Sequence, residues 1–278
     1  MPPTIHCIRH AQGYHNLSTD NYILPDPDLT PHGMSQCTAL SNSFPHMPQI
    51  DLIVASPIRR TLYTALHTFA PIIASRGTPI IALPELQETS DLPCDTGSAP
   101  AALAAEFAAH PSVDLSLVRD GWNLKHGGAM ASPDAGSIIL RARRAKAWLR
   151  QRPEAHIAVV THGGYLHYFT DDWAGIDDFT AGTAWRNCDF RTYVFVRPEG
   201  VEQRIEETAE SRARRGDAGK EVLGVEENRV RRSEVVVQWI RLGHITAPGD
   251  GVGKVEREIL EDVLRPGAEL EKMPTASL

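Results

Sequence analysis

Three short apolar segments, each ending abruptly in polar or small residues, constrain the fold of this chain more than any other feature. They begin at Ile5, Asp51 and His156. Apolar runs of this length between loop residues are typical of buried strands, and helix-forming segments follow the second and the third. The alternation predicts a three-layer α/β/α sandwich with a mostly parallel central sheet, whose carboxyl edge carries the functional crevice.

Caps, prolines and periodicity predict the remaining elements. Thr30 is suited to the N-cap, and Pro31 to the first turn, of a helix that extends to about Ser43. Further helices are expected at about 57–69, 101–109, 137–151 and 165–173, and further strands at 78–83 and 192–196. The helix at 137–151 has a basic face that we interpret as solvated, comprising Arg141, Arg143, Arg144 and Lys146.

Composition excludes several classes of partner. The 278 residues carry a formal net charge of -7, which argues against a nucleic-acid-binding surface. The four cysteines show no CxxC spacing, so neither a zinc site nor a disulfide framework is indicated. The amino-terminal residues have no leader pattern, and no apolar run is long enough to cross a bilayer. We therefore expect a cytoplasmic protein without a membrane partner, and leave a homo-oligomer open.

The chain is expected to divide into a domain at 1–197 and a charged extension at 198–278. Residues 91–133 have no simple period, which is typical of an irregular insertion over a pocket or of a long surface loop. Asp, Glu, Lys and Arg make up 30 of the last 81 residues, so surface helices are expected there. Within the extension, 235–240 is an apolar run with a tryptophan. It is either an edge strand or a docking anchor, and we favour packing.

The first strand delivers Arg9 and His10 to its carboxyl end. A guanidinium group holds phosphate oxygens in a fork, and an imidazole can attack phosphorus, so the pair suits phosphoryl chemistry. The third strand ends at His162, where two glycines precede a helix whose amino-terminal amides favour an anion. The second strand is followed by Arg59 and Arg60 in the first turn of a helix.

These pieces together resemble the histidine phosphatase superfamily, which includes the phosphoglycerate mutases. The match covers roughly residues 4–197 and consists of four segments in the family's order. They are Arg9-His10 with Asn16; Leu29-Thr30 with Gly33 and Gln36; Ser56-Pro57 with Arg60-Thr61 and Thr64-Ala65; and Thr161-His162-Gly163-Gly164. One such segment is a weak signal, whereas four in order are difficult to obtain by chance.

The resemblance implies a role for each matching residue. His10 is the nucleophile that becomes a phosphohistidine, and Arg9, Arg60 and His162 complete the phosphate pocket. His162 is also implied as a catalytic residue that adds a hydrogen-bond donor, and Asn16 contacts the phosphoryl group or orients His10. No metal and no cofactor are implied, since arginine side chains supply the cations. The family's proton donor is an acidic residue between the second arginine and the second histidine. Position selects Glu88 for that role, with Glu85 and Asp95 as alternatives.

Two departures from the family's pattern bear on the reaction. Ala11 stands where the family usually has glycine, and Gln12 replaces the glutamate common in the mutases. The leading hypothesis is therefore a metal-independent phosphomonoester hydrolase acting on a small phosphorylated metabolite. A phosphoglycerate-type mutase and a catalytically silent scaffold that kept the phosphate pocket are the alternatives.

Overall fold

The computed structural model describes residues 1–126, 129–177, 182–196, 204–219 and 222–247. Within these ranges seven strands form one sheet in the order β4-β3-β2-β5-β1-β6-β7. Strands β1 to β5 pair in parallel, and β6 and β7 pair antiparallel at one edge. The strands are β1 (Thr4–Arg9), β2 (Leu52–Ala55), β3 (Ile80–Ala82), β4 (Val113–Asp114), β5 (His156–Thr161), β6 (Phe190–Phe195) and β7 (Ile205–Glu207).

Helices cover both faces of this sheet. Val54 and Val159 pack with residues of α5, α6 and α8, while their neighbours Ile53 and Val160 pack with residues of α1 and α2. The predicted three-layer sandwich with a mostly parallel sheet is confirmed. The helices are α1 (Pro31–Ser43), α2 (Arg59–Thr68), α3 (Ala70–Arg76), α4 (Pro100–Glu106), α5 (Ala135–Arg150), α6 (Gly163–Thr170), α7 (Ala209–Arg214) and α8 (Val225–Arg241). None of the helices in the described ranges has both the length and the apolarity needed to cross a bilayer.

The irregular segment at 91–133 and the charged extension both contain helices and strands. Residues 91–133 include α4 and the edge strand β4, whose two residues were not predicted; 127–128 lie outside the described residues. Strand β7 belongs to the predicted extension and pairs with β6. The run at 235–240 lies in α8, so the edge-strand option is wrong, and it packs into the core beneath the sheet. Residues 197–203, 220–221 and 248–278 are not among the described ones.

A close backbone contact joins α1 to the loop that follows β1. Thr30 caps α1 by accepting a hydrogen bond from the Gly33 amide at 3.0 Å, as the sequence predicts. The Thr30 amide donates to the carbonyl of Gln12 at 2.9 Å. A Cβ atom on Gly33 would lie 2.2 Å from that same carbonyl oxygen. Only glycine therefore allows this approach, which fixes the loop next to His10.

We expect Gly33→Ala to lower the free energy of unfolding by about 1–3 kcal/mol, because the new methyl group must displace backbone rather than a flexible side chain. Urea denaturation monitored by circular dichroism measures the change. Gly219→Ala is the matched control, because a Cβ atom there meets nothing within 4 Å. A Gly33→Ala variant as stable as the control would contradict the steric argument.

Candidate active site

The carboxyl ends of β1, β2 and β5 meet at one edge of the sheet and form a cleft of about 630 Å³, including space open to solvent. Five of the six residues predicted for the site line this cleft, while His162 lies behind them against Arg60. The alternative donor Asp95 also lines the cleft. Among the described residues, no cluster of three or more His, Cys, Asp or Glu is arranged to hold a metal ion.

His10 follows β1 directly and is held by its backbone and by its ring. Its amide donates to the carbonyl of Thr161 on β5 at 2.9 Å, and its Nδ1 donates to the carbonyl of Ala11 at 2.7 Å. Because a carbonyl only accepts, the proton lies on Nδ1 and Nε2 carries the lone pair. Burial and the nearby Arg60 and Arg9 charges hold the pKa of His10 well below its ordinary value. The ring is therefore neutral.

Arg60 contacts both histidines of the site and Asp95. It projects from the first turn of α2 and is only 1% exposed. Its Nε donates to His10 Nε2 at 3.3 Å, and one terminal nitrogen donates to the carbonyl of Cys94. The other terminal nitrogen donates to Asp95 Oδ1 at 2.8 Å and to His162 Nδ1 at 3.0 Å. The planar guanidinium group thus fixes both histidines and one carboxylate at once.

Arg59, the adjacent basic residue, lies away from the cleft. Its guanidinium group pairs with Asp28 at 2.8 Å and with Glu106 at 2.7 Å. Helix geometry separates two consecutive side chains by about 100°, so only one of them can face the crevice. The structure places Arg60 there, as the family spacing predicts.

Ala11, which replaces the family's usual glycine, does not disturb the loop. Its amide donates to Thr64 Oγ1 at 3.0 Å. Its methyl group is fully buried and packs beside Leu29 and Cys37. The methyl group therefore fills space in the core rather than in the cleft.

His162 occupies the N-cap position of α6 and uses both ring nitrogens within the protein. Nδ1 accepts from Arg60, so Nε2 carries the proton and donates to Ser56 Oγ at 2.9 Å. Burial and the Arg60 charge hold the pKa of His162 well below its ordinary value. The ring centroids of His162 and His10 lie 5.2 Å apart. Neutral His162 therefore bonds to Arg60 and packs against the ring of His10.

Arg9 and Asn16 line the cleft, and Asn187, which the sequence did not single out, contacts Asn16 and the backbone of His10. The guanidinium of Arg9 donates to the carbonyl of Trp185 at 2.5 Å, while its buried Nε has no acceptor among the described residues. Asn187 Nδ2 donates to the carbonyl of His10 at 2.9 Å and to Asn16 Oδ1 at 3.4 Å. Asn187 lies in a loop without a family motif, so only the fold identifies it.

The carboxylate of Glu88 is placed at the amino terminus of α6. Oε1 accepts from the amides of Thr89 and Tyr165 at 2.9 and 2.8 Å, and Oε2 accepts from that of Gly164 at 3.1 Å. A Cβ atom on Gly164 would lie 2.9 Å from Oε1, so the glycine permits this contact. Burial and the charge of Asp95 nevertheless raise the pKa of Glu88. A raised pKa suits a proton donor.

The two alternative carboxylates occupy different positions. Glu85 does not line the cleft, and its backbone carbonyl accepts from Arg141 at 3.3 Å. Asp95 lines the cleft, but its carboxylate is engaged by Arg60 and by Ser90 Oγ at 2.6 Å. Glu88 is therefore the candidate with a cleft-facing carboxyl group and a raised pKa.

Two basic residues outside the six predicted site residues donate hydrogen bonds to the backbone of Glu88. Arg141 of α5 is 1% exposed and donates to the carbonyls of Gln87 and Glu88, the latter at 3.2 Å. Lys125 Nζ donates to the same Glu88 carbonyl at 2.9 Å, and burial lowers the pKa of Lys125 to about 7. The prediction of a solvated basic face is wrong for Arg141, and also for the buried Lys146. The acceptors of Arg141 lie more than 50 residues away in sequence, so helical periodicity could not reveal them.

Buried histidines make the fold sensitive to acid. Burial lowers the pKa values of His6, His15 and His167 to about 3, about 2 and about 3. The unfolded chain binds protons on these rings below about pH 6.5, while the folded chain does not. Stability is therefore lost as the pH falls through this range.

We expect the free energy of unfolding to fall by about 1.4 kcal/mol per pH unit for each such histidine between about pH 6 and 4. Urea titrations across this range measure the slope. His6→Gln should remove about one proton from the pH dependence, whereas the exposed His32→Gln should leave it as in the wild type. Equal slopes for His6→Gln and the wild type would contradict this assignment.

Known proteins that are similar to this chain belong to the family that its motifs resemble. The family model of the histidine phosphatase superfamily (branch 1) matches residues 5–208. A phosphoglycerate mutase-like protein of Arabidopsis thaliana is 28% identical over 236 residues, covering 69% of this chain and 84% of that protein. A probable phosphatase of Schizosaccharomyces pombe is 29% identical over 169 residues, covering 60% of this chain and 76% of that protein.

Solved structures with a similar fold include two phosphatases. A phosphoserine phosphatase of Entamoeba histolytica has a TM-score of 0.46 at 17% identity, covering 74% of this chain and 95% of that one. A mycobacterial glucosyl-3-phosphoglycerate phosphatase has a TM-score of 0.44 at 18% identity, covering 74% and 97%. Because the family model spans well over half of the sequence, this chain belongs to the histidine phosphatase superfamily, branch 1.

Proposed function

We propose that this protein is a phosphomonoester hydrolase that works through a phosphohistidine at His10 and without a metal ion. The observation that carries the proposal is the protonation state of His10. The Nδ1 proton of His10 is hydrogen-bonded to the Ala11 carbonyl, so Nε2 is unprotonated and carries a lone pair. The ring also lines the cleft. Arg9 and Arg60 supply positive charge beside it.

In the first step, the Nε2 lone pair of His10 attacks phosphorus while the bond from phosphorus to the leaving oxygen breaks. The charge that shifts onto the phosphoryl oxygens is stabilised by Arg9 and Arg60, which are cationic throughout. Asn16 lies at the same rim through its contact with Asn187 and is placed to bind the phosphoryl group. His162 Nδ1 accepts a hydrogen bond from Arg60 and so helps to hold its guanidinium group in position.

Glu88 supplies the proton that the leaving alkoxide needs. Its raised pKa favours the protonated carboxyl group before the first step. Once it has lost that proton, the carboxylate accepts one from a water molecule that attacks the phosphohistidine. Phosphate is released and His10 returns to its neutral form, so the proton balance closes over one cycle.

The substrate class and the cellular setting follow from size and redox state. The space among Arg9, His10 and Arg60 is small, and this supports a small phosphorylated metabolite as the substrate. All four cysteines are free thiols, and this supports a reducing compartment such as the cytoplasm.

We expect His10→Ala to lower kcat/KM for p-nitrophenyl phosphate by at least about a thousandfold, because no other group replaces the nucleophile. The assay contains EDTA. Rapid quench with labelled substrate should trap an acid-labile phosphoenzyme in the wild type and none in the variant. His32→Ala, a change at an exposed helix position, is the control and should keep wild-type activity. Full activity in His10→Ala, or loss of wild-type activity with EDTA, would overturn the proposal.

We expect Glu88→Gln to discriminate between leaving groups. An alkyl phosphate needs a proton on its leaving oxygen, so kcat/KM should fall by about 10²–10³. A nitrophenolate leaves readily without protonation, so the aryl ester should lose much less. The variant should also lose the decline of alkyl phosphate hydrolysis at high pH, where the Glu88 carboxyl group of the wild type is ionised. Glu85→Gln is the matched control, and equal losses for both esters would remove Glu88 from the role.

A further inference from the structure

Side chains bond the carbonyl groups of the segment that carries Glu88. This segment, residues 84–88, follows β3 and begins with a single 3-10 turn. Thr161 Oγ1 of β5 donates to the carbonyl of Leu86 at 2.6 Å. Because the segment pairs with no strand of the described sheet, the side chains that bond to its carbonyls set the position of Glu88.

Arg141 of α5 contacts three carbonyl groups of the same segment. Its guanidinium group donates to the carbonyls of Glu85 at 3.3 Å, of Gln87, and of Glu88 at 3.2 Å. The donors of a guanidinium group lie in one rigid plane, so these carbonyls are fixed relative to each other and to α5. The side chain is 1% exposed, so water does not compete for these bonds.

The guanidinium group of Arg141 also contacts the residue that holds the other end of Glu88. It lies over the ring of Tyr165, 4.9 Å from the ring centroid. The amide of Tyr165 donates to Glu88 Oε1 at 2.8 Å. One side chain therefore connects the backbone of Glu88 to the helix whose amides bind its carboxyl group.

Lys125 adds a contact from the predicted insertion. Its Nζ donates to the carbonyl of Glu88 at 2.9 Å, and a carbonyl oxygen has two lone pairs, so it accepts from Arg141 as well. Neither Lys125 nor Arg141 lines the cleft. The two side chains can therefore influence the reaction only through residues that do line it, and Glu88 is the lining residue that both contact.

We infer that Arg141 and Lys125 are positioning residues for the proton donor. Together they fix the backbone of Glu88 so that its carboxyl group reaches the leaving oxygen. This inference rests on the proposed phosphatase function and extends it to two side chains outside the cleft. It gives the insertion a part in protonation of the leaving group rather than in the attack of His10 on phosphorus.

Two substitutions test this role with glycerol phosphate and p-nitrophenyl phosphate as substrates. Arg141→Lys keeps the charge and removes the planar fork, and Lys125→Met keeps the stem and removes the ammonium donor. A displaced donor matters where the leaving oxygen needs a proton, so each variant should lower kcat/KM for glycerol phosphate about tenfold. The kcat/KM for p-nitrophenyl phosphate should fall less than about threefold, because nitrophenolate leaves without protonation.

The Glu88→Gln background separates positioning from general structural damage. With no carboxyl proton left to position, Arg141→Lys and Lys125→Met should each lower the remaining kcat/KM for glycerol phosphate less than about twofold. Structural damage would instead repeat the full loss in this background. Arg144→Met changes an exposed arginine of the same helix, and this matched control should keep wild-type values for both esters.

Three results would overturn the inference: equal losses for both esters, a full further loss in the Glu88→Gln background, or wild-type activity in either folded variant. If circular dichroism shows that Arg141→Lys does not fold, Lys125→Met decides the question, because its side chain is only partly buried. A wild type that hydrolyses neither ester would instead overturn the phosphatase function itself.

Discussion

A single buried guanidinium group organises this site. Arg60 contacts His10 after β1, Asp95 in the loop after β3, and His162 at the start of α6, so three distant segments meet on one side chain. A buried charge is costly unless it is paired and fully hydrogen-bonded, and the Asp95 carboxylate together with the Cys94 carbonyl meets that need. A lysine could not make these contacts simultaneously, because its single ammonium group lacks the planar fork.

Burial shifts the pKa values of Glu88 and His10 in opposite directions, and both shifts suit the proposed reaction. Desolvation disfavours whichever form is charged, so it lowers the pKa of His10 and raises that of Glu88, which favours the neutral form of each. The arginines add to the first effect because their charge repels a proton from His10. The three amides that bond to Glu88 oppose the second effect, yet burial and Asp95 prevail. The shifts thus favour the forms of His10 and Glu88 that the proposed reaction requires.

Local sequence patterns predicted the parts of the fold and the site that local chemistry controls. Strand ends, the cap at Thr30 and the arginine facing the cleft are set by periodicity, capping and motif spacing, so they were accessible. Arg141 and Asn187 were not, because their acceptors lie far away in sequence. The two-residue strand β4 is too short to produce a pattern, and it forms only because β3 offers it an edge. Tertiary contacts decide such features, and a single sequence does not display them.

The extension shows why charge content is a poor guide to whether a segment joins a core. Helix α8 carries many charged residues, yet Val235, Val236 and Trp239 form a buried stripe against α6 and the sheet. Charge density averages over the helix, whereas packing depends on one face of it. The family match ends at residue 208, before this helix begins, although the core beneath the sheet includes it. A chain cut at that point would expose the aromatic side chains of α6, so α8 is part of the folded unit and Trp239 reaches the cleft from within it.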